Sequence, residues 1–269
     1  MKYRGAVLCL LGLLPCVAQA DSLFRNDLAQ GRYVPRAFGV GLDIVRVDQE
    51  LTIDRLSVTT PPGFPPLPLD DASGIVTKSD VGNDGIKFDA WLLPFFNVFG
   101  LYGQFDGDTD VDLRGTMLPL PPDLQQLRIS YDGDVYGGGF VLAAGNDRWF
   151  GSLVATFTDT DLDSGFSSSI KATTLQPRVG LRYGNNNEVW LGGYWINADE
   201  SHSGTINVDF GPGVGIVPIG FEVDLSQSEG FSPAIGTHVT FGESWELTLE
   251  IGGGGDRDTA LGNLTYRFE

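Results

Sequence analysis

The chain has 269 residues, with 17 Lys plus Arg set against 35 Asp plus Glu for a formal charge of −18. That balance excludes non-specific nucleic-acid binding, which needs a basic surface to neutralise phosphates, and aromatics at 11% exclude a globally disordered chain. After the first 20 residues no apolar run approaches the roughly 20 residues of a membrane helix, which leaves a soluble all-β domain or a membrane β-barrel.

Residues 1–20 have the pattern of a secretory signal peptide. Lys2 and Arg4 make a basic start, Ala6 to Val17 is apolar, and Ala18-Gln19-Ala20 is a small-x-small cleavage site. Both cysteines, Cys9 and Cys16, lie inside it, so the exported chain is expected to fold without disulfides. Residues 21–36 are expected to form a periplasmic N-terminal segment and residues 37–269 a single β domain.

Past Arg36 the chain repeats one theme, a stretch of two-residue alternation followed by a turn. The segments are Ala37–Asp48, Gly85–Leu93, Asn97–Leu113, Leu127–Ala144, Trp149–Asp161, Ile170–Tyr183, Glu188–Asn197, Phe221–Phe241, Trp245–Gly252 and Asp258–Phe268. In the second, Ile86, Phe88, Ala90 and Leu92 oppose Lys87 and Asp89; in the ninth, Trp245, Leu247, Leu249 and Ile251 oppose Glu246, Thr248 and Glu250. Short connections such as Pro94–Phe96, Gly145–Arg148, Gly184–Asn187 and Gly242–Ser244 alternate with long ones, Gln49–Asp84, Arg114–Gln126, Leu162–Ser169 and Ala198–Gly220. The first and last of these long connections leave room for strand extensions.

Short turns on one rim and long loops on the other describe a transmembrane, antiparallel, up-and-down β-barrel of about ten strands, with eight to twelve allowed. Closure follows from the solvent: in hydrocarbon every backbone N–H and C=O must be paired within the protein, so a spanning sheet has no edge. Phe95, Phe96, Trp149, Phe150, Tyr183, Phe241, Trp245, Tyr266 and Phe268 gather at the short-turn end as an interfacial girdle would.

On these features the sequence resembles the small outer-membrane β-barrels of Gram-negative bacteria. Its last strand, Gly262 to Phe268, is similar to their assembly signal, departing from it in the Glu269 that follows the aromatic and in the glycine spacing. The resemblance implies an outer-membrane location, contact with lipid and lipopolysaccharide, and recognition by the barrel assembly machinery.

With the apolar faces outward, the lumen receives Asp43, Lys87, Asp89, Gln104, Arg178, Arg182, Glu246, Glu250 and Arg267. Opposite charges in so narrow a space are expected to pair, because buried charges persist when partnered; Asp43, Glu250 and Arg267 are candidates for one network across the closing strands. On the third strand Phe99, Leu101 and Phe105 are expected to face lipid. The other parity carries Asp106, Asp108, Asp110 and Asp112, joined by Asp132, Asp134, Asp159, Asp161 and Asp163 into an acidic outer rim. Hard oxygen ligands of this kind suit Ca2+ or Mg2+, which would bridge to lipopolysaccharide; the glycine and glutamate pattern of a helix–loop–helix calcium site is absent from the sequence. Three Pro-rich apolar stretches, at 60–69, 117–122 and 210–219, are expected to dock on one another as a lid.

Of the two histidines, His238 sits mid-strand and His202 in the fourth long connection beside Glu200. The omptins, ten-stranded outer-membrane proteases, activate water with an acid–His pair and an Asp pair. Glu200 with His202 and Asp106 with Asp108 occupy similar topological places, and a carboxylate orienting an imidazole base is sound chemistry. Nothing else along the chain resembles an omptin. The expected role is therefore non-catalytic: surface binding, or narrow passage of a small or hydrophobic solute.

Overall fold

A computed structural model describes residues 35–59, 76–112, 126–162, 167–184, 186–209, 215–227 and 230–269. The signal-like residues, the Pro-rich stretches (except for 215–219 of the third) and Asp163 lie outside the described residues. Eleven strands run in chain order: β1 (Phe38–Thr59), β2 (Val76–Leu93), β3 (Phe96–Asp112), β4 (Gln126–Gly145), β5 (Trp149–Leu162), β6 (Ser167–Tyr183), β7 (Asn187–Asp209), β8 (Ile216–Gln227), β9 (Phe231–Phe241), β10 (Trp245–Gly254) and β11 (Arg257–Phe268). Each pairs antiparallel with its neighbours, and β11 closes on β1 from Phe38↔Phe268 to Gln49↔Arg257.

The strand count differs at the two ends. β8 and β9 both lie along β7 with nearly the same register, Glu200↔Leu225 for one and Trp195↔Phe231 for the other, so they are the upper and lower parts of one strand. At the short-turn end the circuit is therefore ten strands, as the alternation predicts. The β10–β11 hairpin is short and turns at Gly254 and Gly255, whose φ values of 126° and 68° are open to glycine at little cost. Above that turn β8 pairs directly with β1, from Leu51↔Gln227 to Thr59↔Gly220, and the circuit shrinks to eight.

The outward face explains where the change occurs. Leu42 and Ile44 on β1, Phe88 on β2, Val179 on β6, Leu191 on β7 and Ile251 on β10 are exposed apolar residues, as are their neighbours around the barrel. On β1 the outward row turns polar at Arg46, on β2 at Asp84, on β3 at Gln104 and on β11 at Asp258. The band spans about seven to nine residues per strand, on the order of 20 Å for tilted strands, close to the apolar belt of a transmembrane barrel. The β10–β11 hairpin ends at its upper edge. β1 to β8 continue beyond it as a closed, eight-stranded collar in the polar phase.

The apolar pattern changes sides at this edge. Below it the lipid face is apolar and the inside polar; above it the outside is charged and the inside apolar, as in a soluble barrel. Leu51, Ile53 and Val135 are at most 2% exposed within the collar, with Tyr131, Val217, Ile219, Val223 and Leu225 also buried. Eight strands enclose an interior that side chains nearly fill, and ten enclose more.

Two sequence expectations are corrected here. Phe99, Leu101 and Phe105 face inward, and Gln104 faces outward with Tyr102, because β3 pairs Lys87↔Leu101 and Asp89↔Phe99 on the lumen side. Phe150 belongs to the interior rather than the girdle: it is buried, with its ring edge-on to Trp190 at 6.3 Å and lying over Gly180. The other girdle residues that are exposed, Phe95, Trp149, Tyr183, Phe241, Trp245, Tyr266 and Phe268, stand at the short-turn end.

Candidate functional site

The ten-stranded part of the lumen holds a cavity of about 1160 Å³. Its lining begins at the short-turn residues Pro94, Asp147 and Asn186, rises to Val47, Ile170 and Ala198, and includes none of the collar residues Leu51, Ile53 or Tyr131. Among the described residues, the lining thus runs from the short turns to the foot of the collar. The ceiling of the cavity is the collar core. There the Tyr131 hydroxyl lies 3.3 Å from Ser79 Oγ and 3.2 Å from Thr109 Oγ1, and the Tyr131 ring stacks on Phe105 at 5.9 Å. Gly107 leaves the room the Tyr131 ring occupies.

Charge enters the lumen as pairs. Nearest the short turns, Arg267 donates from Nη1 to Asp89 Oδ1 at 2.8 Å and from Nε to Glu246, while Asn97 donates to Asp89 Oδ1 at 2.7 Å. This cluster ties β11 and β10 to β2 and β3 across β1. It can cross because Gly39 has no side chain: a Cβ there would run into the Asp89 carboxylate and Thr265. Higher up, Arg178 Nε lies 3.0 Å from Glu250, which also accepts from Trp190 Nε1 and the Tyr194 hydroxyl, and the Arg178 guanidinium sits 4.9 Å over the Trp190 ring. Arg182 meets Glu188 at 3.0 Å. Lys87 and Asp43 are the loosest couple, 3.6 Å apart and about a fifth exposed, with Asn263 donating to Asp43 at 2.6 Å. Arg257 completes the inward cations and contacts Gln49 at 3.3 Å. In the ten-stranded part, each described inward carboxylate on a strand, Asp43, Asp89, Glu188, Glu246 and Glu250, has a cationic partner.

The structure thus brings the sequence-predicted lumen residues into separate groups: Lys87 with Asp43, Asp89 and Glu246 with Arg267, Arg178 with Glu250, and Arg182 with Glu188. The proposed single network of Asp43, Glu250 and Arg267 is not formed, since each has its own partners. Sequence reading passed over Trp190 and Tyr194, which hold Glu250, and Glu188, which holds Arg182; their inward parity on β7 is the signal that could have found them. His238 faces the lumen and shares a 3.1 Å hydrogen bond between Nδ1 and Thr248 Oγ1.

The acidic set stands on the outer surface of the collar. Asp106, Asp108, Asp110 and Asp112 on β3 and Asp132 and Asp134 on β4 point away from the lumen, with Asp106 directly opposite Asp132 and Asp134 opposite Asp161. Arg128 reaches Asp108 at 2.9 Å and Ser130 donates to the same carboxylate; together they hold Asp108 below the usual carboxylate range. Among the described residues no group of three or more His, Cys, Asp or Glu converges as metal ligands would. Side chains along one face of a strand diverge rather than meet.

The side chains of Glu200 and His202 lie outside the described residues, and their backbone places are known. Glu200 and His202 lie within β7, paired with β6 and β8, rather than in a loop. Asp106 and Asp108 lie on β3 with their side chains outward, and β4, β5 and β6 stand between the two strands.

No family model matches the chain, and no curated protein matches it. Among solved structures, the transport unit of the autotransporter AIDA-I from Escherichia coli aligns over 95% of this chain and 96% of its own, at 11% identity and a TM-score of 0.35. The outer membrane protein OprG from Pseudomonas aeruginosa aligns over 87% and 99%, at 15% identity and 0.37. The Pseudomonas putida toluene transporter TodX aligns over 91% and 93%, at 9% identity and 0.33. At such identities and scores, what this barrel does has to be argued from its own lumen.

Proposed function

We propose that this chain is an integral outer-membrane barrel with a non-catalytic role, the binding and restricted passage of a small solute in a lumen that is closed toward the cell exterior. One observation carries the reading: a cavity of about 1160 Å³, lined from the short turns upward, lies under a collar whose described inward residues Leu51, Ile53, Tyr131 and Val135 are buried. The short-turn end corresponds to the periplasm in barrels of this architecture. A pocket of this size exceeds what most drug-sized ligands require. An open porin would instead keep a water-filled path through both ends.

In this reading the residues before β1 direct export, the final strand is read by the assembly machinery, and the collar stands among lipopolysaccharide sugars. Planar-bilayer recording of the purified protein tests the central point. The expected result is no steady ionic conductance from the resting protein; an ohmic channel at low voltage overturns the closed-lumen reading.

A further inference from the structure

We propose that the lumen cavity is a binding site for an uncharged amphiphile, its polar head at the Asp43–Lys87 pair and its apolar part above it, beneath the collar. This rests on the closed-lumen reading and adds the chemical class of the solute. Three observations converge on it.

The first is electrical. Every inward cation has a carboxylate or amide partner, so a solute carrying net charge would leave water without meeting an available counter-charge. In a confined site that loss is not recovered. The described acidic rows of β3 and β4 stand on the outer surface, away from the paired charges of the cavity wall.

The second is the inequality among the ion pairs. Arg267, Arg178 and Arg182 meet their carboxylates at 3.0 Å or less, with the Arg267 and Arg178 pairs largely buried. Lys87 and Asp43 are separated by 3.6 Å and remain partly exposed on the cavity wall. An ammonium and a carboxylate at that spacing offer a donor and an acceptor side by side. A hydroxyl or amide satisfies both at once, accepting from Lys87 Nζ and donating to Asp43.

The third is the polarity of the wall. Starting from that pair, the inward rows rise through Val45 and Val47 on β1, Val81 on β2, Phe105 on β3, Ile170 on β6 and Leu261 on β11. Asn83, Gln49 and Thr259 interrupt these rows, and Arg257 stands against Gln49 at the upper end of β11, while the other charged groups lie level with the pair, toward the short turns, or on the β6–β7–β10 wall. A molecule with one polar end and an apolar body matches this order, and it places the apolar body where the water it displaces has few partners.

The test uses the full barrel in lipid nanodiscs and three probes of one length: ω-bromooctanol, ω-bromooctanoate and ω-bromooctylammonium. Bromine quenches tryptophan at near contact, and Trp91 lies four residues toward the short turns from Lys87, so a Leu261→Trp background supplies the reporter in the chamber where the bromine end would sit. Partition into lipid gives non-saturating quenching, so the saturable part reports the site. The alcohol is expected to saturate at least tenfold tighter than either ion. Asp43→Asn, which frees the lysine, is expected to move the preference toward the carboxylate. Lys87→Met, which frees the aspartate, should move it toward the ammonium. Ala172→Trp, which fills the apolar chamber, should remove the saturable component for all three, with circular dichroism and heat-shifted gel migration showing that each variant is folded. Saturable quenching that is equal for all three probes, or unmoved by the Asp43 and Lys87 variants, overturns the solute class and leaves the closed-lumen reading standing. No saturable quenching by any probe, with the variants folded, overturns both.

Discussion

Replacing Arg267 with Met is the sharpest probe of how this barrel is held shut. Arg267 comes from the last strand, is 8% exposed, and sits between Asp89 of β2 and Glu246 of β10. Methionine keeps much of the side-chain volume and removes the charge. It leaves two carboxylates facing each other, with Asn97 the remaining donor to Asp89 and water largely excluded. Breaking a buried pair from one side costs about 3–5 kcal/mol, most of it the uncompensated charge that stays behind. The half-exposed Arg36–Glu243 pair at the rim, 34% and 87% exposed, provides the contrast, since such pairs contribute about 0–1 kcal/mol. Urea unfolding of protein refolded into vesicles, followed by tryptophan fluorescence and gel mobility, measures both. R267M is expected to lose several kcal/mol and R36A almost nothing. The triple variant D89N/E246Q/R267M, which removes all three charges, is expected to recover most of the loss. If R267M and R36A unfold at the same urea concentration, the cluster is a solvated surface feature and the reasoning fails.

Three further outcomes follow from the geometry. Gly39→Val puts a branched side chain against the Asp89 carboxylate and should cost about 1–3 kcal/mol in the same unfolding assay, the range for overpacking; an unchanged midpoint means the cluster does not cross β1 closely. Combining Leu51→Ala, Ile53→Ala and Tyr131→Ala hollows the collar, so conductance absent from the parent should appear in bilayer recordings, while a still-silent variant places the seal elsewhere. Asp108, held below the ordinary carboxylate range by hydrogen bonds from Arg128 and Ser130, stays ionised through the whole range above that value. Because its folded value is depressed, the contact with Arg128 is complete above the ordinary range and is lost as the pH falls through the lowered value. A carbon-detected NMR titration that finds Asp108 at or above the ordinary carboxylate range removes this contact.

Much of the architecture could be read from alternation, since β2, β6 and β10 keep one apolar face over the membrane and assign their charged residues inward without ambiguity. The third strand could not be read that way. It carries apolar residues on both parities, Val98 and Tyr102 on one and Phe99, Leu101 and Phe105 on the other. For Phe105 the reason is physical, since β3 crosses the lipid edge after Tyr102 and beyond it the apolar side belongs inside; Phe99 and Leu101 lie below that edge and face the lumen beside Lys87, whose ammonium sits 5.9 Å from the Phe99 ring. A reading that assumes one solvent for the whole strand turns such a segment around. The same assumption ended β1 at Asp48, where the structure continues it to Thr59, because the outward charges at Arg46, Asp48 and Glu50 look like a loop when lipid is expected. The ion pairs were legible as residue types on inward parities. Their partners were not, because partners across the barrel depend on register and on where glycines clear the way.

The short C-terminal hairpin bears on how the barrel is joined. Since β8 meets β1 directly above it, the distal ring of eight has all of its hydrogen-bonding partners without β10 and β11. Only the proximal part depends on the last two strands, which stand as a wedge between β9 and β1 and are fastened by Arg267. The two ends of this barrel are therefore closed by different seams, β8 on β1 at the far end and β11 on β1 at the near end.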